Sequence, residues 1–414
     1  MEKPKLRSVI SAQPMMIEGA PMILLQDPEH FSDQTLIVPH NEPMLFILGC
    51  FDGEHTVADI QEEFLNRYQS LLMTEEIVEI IEKLSESHFL DNDIFNNHRR
   101  AAIEHFNALP VRASCLAGQS YPEHTEALAR LLDAMASAGR LHREQSGVTL
   151  PQGPLTGLIA PHIDFMRGGR VYGSVYSLLA EQDPPDVAVI YGTLHAPSDF
   201  LFIPSRKGYE TPLGILETDP DILSALEAEI PAEELYADEF AHKSEHSIEF
   251  QVLCLQHAFQ DKPMPRIIPI LCSSLEPQIL ANESPDEVEE HRRFTSSLLR
   301  VLEASGKHIL HIAGADLSHI GPAFGDPEPV SDDFMLESRT RDMEALETVK
   351  ICDAEGFFRS LAFHVDRYRV CGLSPIYAML KVMPPCTGRI VDYDQATDTQ
   401  RTTCVSIAGI AFAP

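Results

Sequence analysis

The sequence predicts an α/β protein: an α/β sandwich around a largely buried central sheet, preceded by a small winged-helix-like unit. Three observations carry that expectation. From residue 108 onward, short apolar runs (TGLIA, VAVIYG, RIIPILC, HILHIAG, CVSIAGIAF) alternate with longer helical stretches such as GGRVYGSVYSLLAEQ and SIEFQVLCLQHAF, the texture of a sheet covered by helices. Residues 20 to 95 have a different, mostly helical rhythm. Between the two, NNHRRAAIEHFN is polar and reads as a helical linker. The expected organisation is therefore 1–96 as a first domain, 97–107 as a linker and 108–414 as the α/β domain.

Taken in order, TLIVP is a short strand, and EPMLFILGCFDGEHTVADIQEEFLNRY is two helices broken at Asp52-Gly53, with Thr56 as the next N-cap. In TEEIVEIIEKLSESHFLDND, Ile77, Ile80, Ile81 and Leu84 fall on one helical face, and the helix begins near a cap at Thr74. Three helices with strand-like flanks make a winged-helix unit; without a basic recognition face, its DNA-reading version is disfavoured. Beyond the linker, EHTEALARLLDAMASAG places Leu128, Leu131, Leu132 and Met135 on one face and ends at Gly139. FTSSLLRVLEAS and PIYAMLKVM supply further covering helices.

Composition narrows the function. The chain has 414 residues, 44% hydrophobic and 23% charged, enough for a large core and two domains. Sixty-three acidic residues against 31 basic give a net charge of −32. No basic block tracks a phosphate backbone, so nucleic acid is not an expected partner. The opening MEKPKLRSVISAQPMM lacks the apolar core of a signal peptide, and no apolar run approaches bilayer length. A cytoplasmic location away from membranes is the expectation. The eight cysteines include no CxxC pair and read as reduced core residues.

Candidate chemistry gathers at strand ends, where open α/β sheets bind their ligands. TGLIA runs into His162 and Asp164, VAVIYG into His195, and HILHIAG into Asp316 and His319. Each histidine alone reads as a hydrogen-bonded loop residue; the three together read as a metal site, because imidazole and carboxylate suit iron, zinc or copper. In AHKSEHSIEFQ, Ser244 is placed to cap a helix, and His246 or a flanking Glu245 or Glu249 could instead face the pocket as an orienting or proton-carrying group. Cys371 precedes a helix opened near Pro375, where a thiol can ligate metal or act as a redox group.

Two resemblances follow from quoted motifs. The turn LGCFDGEHTVADI is similar to that of the PqqD-like peptide-binding family, which implies that residues 20–95 recruit a peptide or partner protein. RASCLAGQSYP, APHIDFMRGG, YGTLH, YETPLG, EHSIEFQ, GADLSHIG, CGLSPI and the closing SIAGIAF, in order over residues 108–414, resemble the Memo family, called protein B of the AmmeMemoRadiSam system in prokaryotes. That resemblance implies a fold like class III extradiol dioxygenases and a metal held by His162, His195 and Cys371. It implies a pocket shared by His246, Asp316 and His319; in the leading reading Asp316 orients a histidine through its second ring nitrogen and His319 or His246 moves protons. It also implies iron, then copper, with zinc as a further candidate, and a radical SAM enzyme as partner.

The chain departs from the family's PHAGY and GPSH, carrying Pro161-His162-Ile163-Asp164-Phe165 and Gly192-Thr193-Leu194-His195. Asp164 could add a ligand or repel an anion. Three functions are carried forward: a metal-dependent oxidoreductase, an extradiol ring-cleaving dioxygenase, and a pocket that binds a peptide without turnover. Ring cleavage uses two histidines and a glutamate, so the cysteine counts against it.

Overall fold

A computed structural model describes residues 3–364 and 367–414. The chain divides into two compact units, Met1–Ala108 and Leu109–Pro414.

In the first unit an antiparallel sheet, Ser11–Ile17, Ala20–Gln26 and Leu36–Pro39, precedes the helices. Only its last strand is legible as TLIVP. The helices Glu42–Gly49 and Val57–Tyr68 break at Asp52-Gly53 as expected, and Thr56 caps the second in a reciprocal capping box with Asp59. Thr74 is not the cap of the next helix, Thr74–Glu86: it is the first residue, and the Glu76 carboxylate instead accepts from the Met73 amide at 2.8 Å. Ile77 and Leu84 enter a core with Ile23, Ile47, Ile60 and Phe89, and Ile80 and Ile81 pack at its margin. The segment read as a linker is the body of a continuous helix, Asp93–Ala108, which buries Phe95 and Phe106.

The second unit is built on an eight-stranded mixed sheet. Its order is His319–Ile320, Cys404–Ala413, Gly157–Ala160, Ile309–Gly314, Val187–Thr193, Arg266–Cys272, Phe202–Pro204, with Thr387–Thr397 paired to Cys404–Ala413. The four inner strands are parallel and the flanking ones antiparallel. Burial on both faces explains why the inner strands read as unbroken apolar runs. Side chains nevertheless alternate: Val187, Val189 and Tyr191 enter one core with Phe294, Leu298 and Ile376, while Ala188 and Ile190 enter the other with Leu132, Tyr172 and Leu253.

Gly139 does not end its helix. The helix runs Thr125–Ser146 and stops at Gly147, whose φ is 63°. At Gly139 a Cβ would lie 2.1 Å from the Gly173 backbone, and at Gly173 it would lie 1.8 Å from the Met135 carbonyl. The glycines let two helices cross backbone to backbone, a need that a one-dimensional pattern does not show. No helix among the described residues is long and apolar enough to cross a membrane.

Candidate metal centre

All four inner strands point their carboxyl ends the same way; the loops that leave three of them carry His162, His195, Asp316 and His319, while His246 and Cys371 come from segments that precede helices. The first of these loops, 161–163, is clamped from three directions. The Gln251 amide donates to Pro161 O at 2.8 Å, the Tyr172 hydroxyl donates to Ile163 O at 3.0 Å, and Asp316 Oδ1 accepts from the His162 and Ile163 amides at 2.8 and 3.3 Å. Asp164 does not face a ligand. It caps the helix Phe165–Leu179 by accepting from the Arg167 amide, and it pairs with the Arg167 guanidinium at 2.6 Å. Phe165 packs among Tyr121, Tyr172 and Phe250.

The ring of His162 is buried. Burial, with the neighbouring His195 and His246 rings, holds it well below the ordinary imidazole pKa, so it stays neutral. Its Nδ1 lies 3.1 Å from Gly314 O. A carbonyl only accepts, so Nδ1 carries the proton and Nε2 presents a lone pair. Nε2 in turn lies 3.5 Å from Cys371 Sγ.

His195 is ordered differently. Its amide and its Nδ1 both donate to Glu245 Oε2 at 3.0 Å, leaving Nε2 free, and 44% of its side chain is exposed. Loss of solvent disfavours charge on this ring, but the charge of Glu245 and its hydrogen bond outweigh that and raise its pKa. Burial pushes Glu245 upward, yet His195 and the backbone amides hold it far below the usual carboxylate range. The other Glu245 oxygen accepts from the His246 and Ser247 amides at 2.7 and 2.9 Å. Ser244 does not cap the helix Ser247–Ala258: His246 is at the N-cap position, and the preceding Glu245 carboxylate takes the His246 and Ser247 amides.

Cys371 is brought in by Gly372, at which a Cβ would meet the Asp316 carbonyl at 2.3 Å. The cysteine segment thus seats directly on the strand-end loop. Sγ of Cys371 and one nitrogen each of His162 and His195 all lie within 4.8 Å of one another, against a coordination sphere about 4.0–4.6 Å across for bonds of about 2.0–2.3 Å. Two neutral-capable imidazoles with fixed tautomers and one thiol are a chemically suitable donor set for iron, copper or zinc. A second group, His195, Glu245 and His246, is equally close, but hydrogen bonds already occupy both Glu245 oxygens.

Around these donors, the His246 ring stacks on His195 at 5.0 Å and 12°. His319 turns its Nδ1 to Leu317 O at 2.9 Å, so its Nε2 is also free. Asp316 departs from its expected role: its Oδ2 is 3.9 Å from His162 Nε2, beyond hydrogen bonding, and the second nitrogens of His162 and His195 are held by Gly314 O and Glu245. The carboxylate orders the backbone of His162 instead of its ring. A cleft of about 260 Å³, lined by Thr193, Ser273, Ser274 and Arg369, opens onto His195 and Cys371.

One supporting network is absent from the motif reading. Arg112 is fully buried and donates to His242 O, Glu245 O and Glu249, while Glu249 also accepts from the Cys115 and Leu116 amides and from Tyr121. The arginine thereby fixes the segment that presents Glu245. Its signal was the motif RASC itself, since an arginine amid apolar sequence needs a buried anion.

A family model described as Memo-like protein matches residues 112–411. A MEMO1 family protein of Aquifex aeolicus is 28% identical over 392 residues, covering 94% of this chain and 95% of the relative. One from Thermus thermophilus is 27% identical over 337 residues, 81% of this chain and 92% of the relative. One from Methanosarcina barkeri is 28% identical over 270 residues, 65% of this chain and 86% of the relative. The Aquifex alignment is longer than residues 109–414 alone can supply, so the similarity reaches into the first unit.

Proposed function

The chain belongs to the Memo-like protein family, and from that premise we propose that it is a metal-dependent oxidoreductase whose donors are His162, His195 and Cys371. The observation that carries this reading is the convergence of those three side chains from three separate loops, with Nδ1 of His162 and of His195 each held by a hydrogen bond and Cys371 Sγ 3.5 Å from His162 Nε2. Iron is the first metal of choice, then copper, then zinc; bound there, such an ion supplies Lewis acidity and, for iron or copper, one-electron chemistry.

The chain's own residues do the remaining work. Gly314 O and Glu245 keep both imidazoles in the tautomer that exposes Nε2. Asp316 holds the His162 backbone, and the cleft beside His195 admits a small substrate. His319 Nε2 and the His246 ring are placed to take and return protons there. Ring cleavage of the extradiol type would use the two-histidine, one-glutamate group His195, Glu245 and His246, but Glu245 there is committed to four hydrogen bonds from His195, His246 and Ser247.

The wider setting belongs to the same proposal: an AmmeMemoRadiSam-type role in the cytoplasm beside a radical SAM enzyme, with residues 20–95 recruiting a peptide or that partner. It is supported by the PqqD-like turn at LGCFDGEHTVADI. The primary test is metal content by mass spectrometry on anaerobically purified full-length protein. Near-stoichiometric iron or copper, lost from both His162→Ala and Cys371→Ser while circular dichroism stays unchanged, is the expected result. Metal retained by both variants, or none taken up by the wild type after reconstitution, would overturn the assignment.

A further inference from the structure

Away from the strand ends, two thiols face each other. Cys352 Sγ lies 3.1 Å from Cys386 Sγ and 3.2 Å from the Cys386 carbonyl oxygen. Neither cysteine belongs to the donor groups of the candidate metal centre. Cys352 follows the helix Asp332–Lys350 in a left-handed conformation, φ 56°, its amide donating to Val349 O at 3.0 Å. Non-glycine residues rarely adopt that backbone region, and here it turns the thiol back towards Cys386, which immediately precedes the strand Thr387–Thr397.

The other cysteines make an instructive contrast. Cys50, Cys254, Cys272 and Cys404 are buried, and the loss of solvent pushes each thiol upward, the signature of inert core residues. Cys352 and Cys386 are only partly buried, with exposed Ile351, Asp353, Pro384 and Pro385 beside them. Either thiol can donate across the 3.1 Å contact, so either can be the attacking member of the pair.

We propose that Cys352 and Cys386 are a dithiol–disulfide site that exchanges with low-molecular-weight disulfides, closing residues 352–386 into a covalent loop. In the first step the thiolate of one of the two cysteines attacks one sulfur of a disulfide such as oxidised glutathione, forming a mixed disulfide and releasing one thiolate. The other cysteine then loses its proton and attacks the protein sulfur of that mixed disulfide, expelling the second thiol. Two protein thiols are oxidised and one disulfide is reduced to two thiols, so electrons and protons balance. The closed segment contains the helices Ala354–Ala362 and Leu373–Val382 and, between them, Cys371. Oxidation would therefore tether both ends of the segment that carries a candidate metal donor. The inference stands on the thiol pair alone and does not depend on the metal reading.

The test uses the full-length Cys371→Ser protein, so that oxidation of the candidate donor does not enter the count, together with the wild type. Each is equilibrated with graded mixtures of reduced and oxidised glutathione, alkylated, and mapped by mass spectrometry without reduction. A cross-linked peptide pair containing Cys352 and Cys386 is expected, the free thiols of the wild type falling from eight to six, with full reversal by dithiothreitol. Cys352→Ser and Cys386→Ser should each abolish the cross-link, and each should instead retain one glutathione on the remaining thiol. A stable glutathione adduct on either cysteine of the wild type without the cross-link, a cross-link through other cysteines, or two unreacted thiols would each overturn the proposal. The wild-type map decides the matter even where a serine variant folds poorly.

Discussion

His311 lies within one strand of the sheet and His162 just beyond the end of its neighbour, and their surroundings differ. His311 lies inside Ile309–Gly314, with its ring buried and its Nδ1 3.2 Å from the Tyr191 hydroxyl. His162 lies just past the end of Gly157–Ala160, equally buried, but with its backbone amide given to a carboxylate and Nε2 turned towards a thiol. Within the sheet, backbone amides pair with the next strand, and a polar side chain has only to satisfy itself. Beyond the last ladder bond those amides are released, and side chains such as Asp316 and Glu245 collect them. The middle of the sheet serves packing; at its carboxyl ends the released backbone donors order a cluster of acids and imidazoles.

The largest expected effect attacks the support of those ends. Arg112→Met leaves Glu249 buried without its cation and should cost about 3–5 kcal/mol in urea unfolding. Adding Glu249→Leu should recover part of that loss. An unchanged midpoint for Arg112→Met would show that the strand ends need no buried charge, and the contrast with the apolar middle would fail.

A smaller effect separates orienting groups from donors. Glu245→Gln keeps the shape but weakens the hold on the His195 tautomer, and should lower metal affinity by about 10–100-fold with the fold intact. His311→Gln should leave metal affinity within about 2-fold. Titration with a competing chelator compares them, and equal losses would erase the distinction between end and middle.

The smallest effect sharpens the middle. Burial holds His311 down to about 3, against 6.5 for the free ring. Between those values the unfolded chain binds the extra proton, so stability falls as pH drops from 6.5 towards 3. His311→Gln should flatten the slope of urea midpoint against pH between 6.5 and 4. An unaltered slope would mean that other buried groups govern acid unfolding.

Much of this was legible in the sequence because it rests on local patterns. The inner strands stand where TGLIA, VAVIYG, RIIPILC and HILHIAG are written, since burial on both faces leaves no polar interruption. The three strand-end histidines were visible because a topological rule says where to look. What was not legible depended on partners distant in the chain. Gly139 read as a helix stop, since an isolated glycine most often ends a helix; only the crossing at Gly173 gives it another use. Ser244 read as a cap because serine commonly is one, yet Glu245 reaches the same amides with a longer arm. Asp316 was assigned to a ring nitrogen, whereas the fold places a carbonyl and a different carboxylate there. Cys352 and Cys386 read as separate core residues until the turn at Cys352 brought them together.

Two of the candidate donors, His162 Nε2 and Cys371 Sγ, are separated by 209 positions along the chain. During synthesis the histidines emerge long before the cysteine, and no stretch of nascent chain shorter than that span can assemble the set. If an ion binds at this set, products ending before Cys371 lack one of its three donors, and loading there would come late in manufacture.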